Sequence, residues 1–353
     1  MRALDIIRLI LFPFIPFYTV LVGIRNYMFN TGRFKSVKVN AFVVSVGNLT
    51  IGGSGKTPFT IYITSLLKKM NRKVAVLSRG YGRKTKGYHL VSDGKKVLVG
   101  VEEGGDEMIQ TALECEVPSA VCENRVFGAK KLIVDFDLDC LVLDDAFQHR
   151  WIARDLDLVL IDQRFLTQHN PLRRFLLPTG NLREPFDGIK RADCIIINRK
   201  FSHPAEIPVK FKSLFGTIRT FSASYIIVGF IDVRKDIFYP ADEFQGQKSL
   251  LVCGIANPHS FITALQAVNI STGDKLIFKD HKLYSNNEVQ LIRKTFYDRN
   301  SYSVITTQKD AVKLSGFSKE LDDIDIYYLK IGMKLDEEQE FEKYLKQKMK
   351  EHQ

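Results

Sequence analysis

Lys56 and Thr57, directly behind a run of glycines, are the residues of this chain best suited to phosphate chemistry. The stretch 43–57 begins as an apolar run. It then breaks into Thr50-Ile51-Gly52-Gly53-Ser54-Gly55 and ends in Lys56-Thr57. Apolar residues at helical spacing follow. Strand, glycine loop and helix in that order are the context of a phosphate-binding loop. Gly52, Gly53 and Gly55 let backbone N–H groups turn toward an anion without a Cβ clash. The N-terminus of the next helix adds partial positive charge at the same place. Residues 50–57 are therefore the expected ATP-binding loop. Lys56 would reach the β- and γ-phosphates, and the Thr57 hydroxyl would bind Mg2+. Thr50 stands where the usual pattern has its first glycine.

Such a loop needs a carboxylate at the end of a neighbouring strand. Leu141-Val142-Leu143-Asp144-Asp145 supplies two, so one can hold the metal and the other assist the chemistry. Arg79 and Arg83 follow another apolar run and suit an anionic group; a solvated basic loop fits the residues equally well. Arg183 and Glu184 lie in a loop rich in Pro and Gly. There Arg183 could clamp phosphate oxygens while Glu184 orients it or reaches a substrate hydroxyl; an exposed ion pair is the plainer alternative. Asp106-Glu107, behind Gly104-Gly105, could hold metal or act as a base. Residue physics alone favours Asp106 as a helix cap. Asp280-His281 follows a strand-like run, which makes His281 a possible acid, base or phosphate ligand. Lys309-Asp310 could recognise a nucleotide or cap a helix.

The elements that position these groups alternate. Strand-like runs at 42–46, 74–77, 140–143, 158–161 and 194–197 are separated by helical or polar segments, the mark of a parallel α/β sheet. Ligands collect at the carboxyl ends of such strands. Residues 211–239 loosen into short β-like pieces. A second alternation starts at 249, and a charged helix closes the chain from 336. The expected organisation is an apolar N-terminal segment over 1–38, a P-loop domain over 39–215, a β linker over 216–243 and a smaller α/β domain over 244–353.

The N-terminal run 6–24 is almost wholly apolar, with Arg8 its only charge, and basic residues surround it. Pro13 and Pro16 would kink it. It is near the lower length limit for a span, and no small-residue cleavage site follows. It reads as a kinked or interfacial helix on the cytoplasmic face of a membrane, the other readings being a single span and a core helix hairpin. The 353 residues carry a net charge of +11, which favours an anionic partner: a membrane surface, a phosphorylated substrate or nucleic acid. The five cysteines are scattered, without a C-x-x-C pair, and read as buried thiols.

Taken together, G-N-L-T-I-G-G-S-G-K-T-P, L-S-R-G-Y-G-R, G-D-E, L-D-D-A-F-Q-H, L-P-T-G-N-L-R-E-P, C-G-I-A-N-P-H-S-F, D-H and T-T-Q-K-D-A-V-K resemble the tetraacyldisaccharide 4′-kinase family. The resemblance implies ATP-dependent phosphorylation of the 4′-hydroxyl of an acylated glucosamine disaccharide 1-phosphate at the inner membrane. It implies a P-loop domain with a smaller α/β domain. It also implies Asp106 as general base, paired with His281; Lys56 and Asp145, read from the residues themselves, are the other expected catalytic groups. Nucleic acid and an obligate protein partner are not expected. Two rival readings remain: a membrane-anchored nucleotide switch, whose hydrolysis would ignore lipid, and a nucleic-acid-binding ATPase, which leaves the apolar N-terminus unexplained.

Overall fold

The computed structural model of the protein describes residues 11–168, 171–280 and 282–352. Its elements begin with α1 (Ile15–Asn30), β1 (Phe42–Asn48), α2 (Lys56–Lys69), β2 (Val74–Ser78), β3 (His89–Asp93), α3 (Asp106–Cys115) and β4 (Pro118–Val121). They continue with α4 (Arg125–Phe136), β5 (Cys140–Asp144), β6 (Leu156–Asp162), β7 (Cys194–Asn198), β8 (Arg219–Asp232) and β9 (Phe238–Tyr239). Then come β10 (Ser249–Cys253), α5 (Pro258–Ala267), β11 (Lys275–Ile277), α6 (Asn286–Asp298), β12 (Ser303–Thr307), α7 (Gln308–Leu314), β13 (Ile326–Leu335) and α8 (Glu338–His352). Two compact units share them. The first takes Met1–Arg79, Cys122–Ser224 and Leu335–Gln353; the second takes Gly80–Val121 and Tyr225–Lys334.

The first unit is built on parallel strands in the order β8, β7, β6, β1, β5, β2. The central strands are buried along their whole length, as unbroken apolar runs require when helices cover both faces. A core of Leu49, Phe147, Val159, Ile161, Leu182, Ile195 and Phe211 lies under the loops at the strand ends. The tail helix α8 belongs here and not with the residues 244–334 that precede it. Phe341, Tyr344, Leu345 and Met349 recur on one face of α8 and are buried, so the charged helix of the sequence is amphipathic. Phe341 meets Phe221 edge-on at 5.2 Å.

The second unit holds the parallel set β11, β10, β12, β13, packed on α6 through Val289, Ile292 and Phe296. It also holds the antiparallel pair β3 and β4 together with α3. Residues 80–121 therefore join the second unit, where chain order alone puts them within 39–215. Short-range alternation cannot show this, because the assignment depends on tertiary packing of α3. The loosened stretch 211–239 contains one 14-residue strand, β8, whose residues up to Ser224 belong to the first unit.

At the N-terminus a short helical turn, Phe12–Phe14, precedes α1. Pro13 and Pro16 each stand in the first turn of their element, where a missing N–H costs nothing. They start these helices and do not kink one. Ile15 and Tyr18 pack on the core of the first unit. Phe17, Val20, Leu21, Ile24 and Tyr27 are exposed along the opposite side. Among the described residues no helix is long and apolar enough to cross a membrane; residues 6–10 of the apolar run lie outside the described residues.

One close approach fixes the strand that carries the glycine loop. A Cβ on Gly47 of β1 would stand 2.5 Å from the Phe147 Cβ and 2.8 Å from its backbone nitrogen. Backbone cannot yield as a flexible side chain can. Gly47→Ala is therefore expected to lower stability by about 1–3 kcal/mol, read as a drop in thermal midpoint; an unchanged midpoint would show that Phe147 moves freely.

Candidate active site

The glycine loop is shaped by its backbone and clamped by two asparagines. Gly52 and Gly55 have φ of +100° and +95°, the left-handed region that only glycine enters without strain. Asn48 Nδ2 donates to Ser54 Oγ at 2.7 Å, and Asn198 Nδ2 donates to the Ser54 carbonyl at 2.9 Å. Both asparagines are fully buried at the ends of their strands. The Ile51 N–H donates to the Asn181 carbonyl at 2.7 Å, which ties the loop to the segment before Arg183. Lys56 is the first residue of α2, and Gly55 occupies the N-cap without a side chain. The amides of that helix start are thus left facing the loop.

Charge gathers at the end of β5, beside β1 in parallel register with Val46 opposite Asp144. Asp145 follows with φ of +51°, an orientation that aspartate tolerates better than most residues. Its Oδ1 accepts from Arg183 at 2.7 Å and lies 3.7 Å from Lys56 Nζ. Burial opposes ionisation of Asp145, but Lys56, Arg183 and Arg125 outweigh it and hold the carboxyl below its usual range. Asp144 is buried and accepts from the Thr60 hydroxyl at 3.0 Å.

Arg125, at the start of α4, is a member of this cluster that the sequence reading missed. It is buried and donates to the Cys122 carbonyl at 2.7 Å and, at 3.4 Å, to that of Asp144. Burial brings its pKa down to about 10, against the pull of Asp144 and Asp145, so it stays charged near neutrality. An arginine opening a helix behind Asn124 looks like any surface arginine in the sequence.

In the second unit Asp106 is the first residue of α3, and Gly105 holds the cap position with φ of +79°. Asp106 is buried. Its Oδ1 accepts the Glu107 N–H at 2.9 Å, and its Oδ2 lies 3.0 Å from Lys313 Nζ. His281 lies outside the described residues. Thr307, not Asp310, caps α7: its hydroxyl oxygen accepts the Asp310 N–H. The Asp310 carboxylate instead accepts the Gly254 N–H at 2.8 Å.

A family model described as LpxK, tetraacyldisaccharide-1-P 4′-kinase, matches residues 7–350. The chain belongs to this family. A tetraacyldisaccharide 4′-kinase from Chlorobium luteolum is 34% identical over 319 residues, covering 88% of each chain. One from Halothermothrix orenii is 34% identical over 344 residues, covering 90% of this chain and 86% of its own. LpxK from Aquifex aeolicus, solved in complex with ATP, superposes with a TM-score of 0.80 at 30% identity, covering 97% of this chain and 99% of that one. The protein described here is accordingly a tetraacyldisaccharide 4′-kinase of lipid A biosynthesis.

Within the kinase, the first unit brings Lys56, Asp144, Asp145 and Arg183 together around the glycine loop. Arg79, just past β2, is exposed. Arg83 lies in the second unit, where its guanidinium donates to the Gly87 carbonyl at 2.7 Å and closes its own loop. Arg183 and Glu184 do not pair with each other. Glu184 is fully buried and accepts from Arg191 at 2.8 Å, Gln148 at 3.0 Å and Asn26 of α1 at 3.1 Å. Gln148 also donates to the Asn48 carbonyl at 2.7 Å. Glu184 is thus a buttress of the glycine loop.

His149, in the same segment as Asp145, has a buried Nε2 without a hydrogen-bond partner among the described residues. Burial, then Arg125, Arg154 and Arg79, push its pKa down to about 4. The folded protein therefore binds fewer protons than the unfolded chain between about pH 6.5 and 4, and stability falls as pH falls through that window. After allowance for solvent screening the loss is about 2 kcal/mol. Denaturant titrations at pH 7 and 4.5 should show His149→Asn losing that much less than wild type; equal losses would exclude His149 as the cause.

Proposed function

We propose that the first unit binds ATP through residues 50–57 and neutralises the transferring phosphoryl group with Lys56, Arg125 and Arg183. The observation that carries this is the convergence of Lys56 and Arg183 on Asp145 at the mouth of a left-handed glycine loop that opens a helix. Phosphoryl transfer depends mainly on positioning and charge neutralisation. A preformed cationic site supplies both without reorganising during the reaction. Incoming phosphate oxygens would take over the donors that Asp145 now occupies.

Thr57, Asp144 and Asp145 offer the hard oxygen donors that Mg2+ takes. Among the described residues no group of three His, Cys, Asp or Glu side chains forms a cage. That fits an ion held by one or two carboxylates together with substrate phosphates. Thr60 fixes the orientation of Asp144, so these residues suit the group. The bound ion would neutralise charge on the β- and γ-phosphate oxygens. Asp106 would accept the proton of the 4′-hydroxyl, with His281 as its partner, and Arg79 and Arg83 would meet anionic groups of the substrate.

The exposed stripe of α1 would lie on an anionic membrane, with Arg25, Arg33, Lys35 and Lys38 around it. Phe17, Leu21 and Ile24 are 71%, 68% and 51% exposed, so replacing them perturbs no core. Sedimentation with phosphatidylglycerol vesicles should fall at least about tenfold when all three become Ser, since each buried apolar side chain contributes roughly 1.5–3 kcal/mol; undiminished binding would place the contact elsewhere.

The reading of the nucleotide site is tested with Lys56→Ala. Loss of a main charge at the phosphoryl group should cost about 3–4 kcal/mol in kcat/KM, measured as phosphate transfer from ATP to detergent-dispersed tetraacyldisaccharide 1-phosphate. A wild-type value would reject the assignment.

A further inference from the structure

The second unit carries a charge cluster, buried at Asp106, Asp310 and Lys313, whose lysines the proposed reaction does not yet use. Lys309 and Lys313 lie one turn apart on α7, so both ammonium groups project from one face. Lys313 has a side chain only 3% exposed, and its Nζ lies 3.0 Å from Asp106 Oδ2 and 3.4 Å from Asp310 Oδ1. Asp310 is itself fixed, because it also accepts from the Thr307 hydroxyl at 2.7 Å. Lys309 Nζ lies 3.2 Å from Glu107, 3.7 Å from Asp280 and 3.9 Å from Asp106.

We propose that Lys313 is a positioning residue that keeps the Asp106 carboxylate ionised and aimed, with Lys309 as its auxiliary through Glu107 and Asp280. This rests on the reading of Asp106 as the proton acceptor. A carboxyl removed from water tends to protonate, and a protonated acid cannot accept a proton from an alcohol. A cation at 3.0 Å prevents that, and it also anchors one oxygen while leaving the carboxylate plane fixed. Two cations beside one carboxylate would also weaken it as a base. Here they are shared: four carboxylates, of Asp106, Glu107, Asp280 and Asp310, face the two ammonium groups. Burial works against the charge on Lys309, yet Glu107, Asp106 and Asp280 raise its pKa, so it remains a cation. Tyr284 and Cys253, which face Asp310, are pushed up mainly by burial and stay neutral. Stability alone is a poor reason for the arrangement, since buried ion pairs seldom exceed apolar packing of the same volume.

The test is kcat and the KM for ATP across pH 5.5–9 on the full-length protein with the detergent-dispersed lipid substrate. Lys313→Met should lower kcat about 10²-fold, within the range that general-base catalysis supplies. It should also move the acid limb of the kcat profile up by about one pH unit, with KM for ATP within twofold of wild type. Lys313→Arg, which keeps the charge, should return the limb toward its wild-type position. A lowered kcat with an unmoved acid limb would overturn the proposal. Where circular dichroism shows Lys313→Met to be unfolded, Lys309→Met carries the test, with a smaller shift in the same direction expected and no shift overturning it. Asp106→Asn separates the two levels. If it retains wild-type kcat, the base reading itself fails; if it collapses while the limb of Lys313→Met stays put, only the positioning role falls.

Discussion

The arrangement around the glycine loop depends on Asp145, a carboxylate that both Lys56 and Arg183 reach. Cations gathered in one place repel one another. A shared counter-charge at the strand end stabilises the arrangement. It does so at a position with positive φ, so the backbone is committed to presenting that side chain. Buried Arg125 adds a third positive charge behind Asp144, where only nearby carboxylates and carbonyls compensate it. The asparagine clamps on the Ser54 hydroxyl and carbonyl stabilise the backbone in turn, since a glycine-rich loop has few side chains of its own to fix its shape.

What the sequence made legible follows from how local each signal is. The strands β1, β2, β5, β7 and β10 read well because each is a continuous buried apolar run, whereas β8, partly exposed along its length, did not; the glycine loop read well because glycine spacing and Lys56-Thr57 are adjacent in the chain. The motif constellation also carried the family and its activity, since no single motif in it is specific but their order is. Arg125 and the Glu184 buttress were not legible. Arg125 matters only because folding buries it beside Asp144, and Glu184 only because Arg191, Gln148 and Asn26 come to it from 7, 36 and 158 residues away. The assignment of residues 80–121 to the second unit was hidden for the same reason: α3 is placed by contacts with α7, such as Gln110 to Gln308 at 2.9 Å, which lie nearly 200 residues apart.

The burial of Glu184 has a consequence for α1. A helix with five large apolar side chains exposed along one side would, on composition alone, be a separable appendage. Its other side is hydrogen-bonded into the site: Asn26 donates to Glu184, the Tyr18 hydroxyl donates to the Arg183 carbonyl at 2.7 Å, and Arg150 donates to the Asn26 carbonyl. Leaving a fully buried carboxylate one donor short costs more than a surface contact returns. The helix is therefore part of the body that shapes the glycine loop, through Glu184, Gln148 and the Asn48 carbonyl. Its exposed stripe and its hydrogen-bonded side belong to the same rigid turns of helix, so the apolar surface is presented in fixed orientation to the loop that carries Lys56.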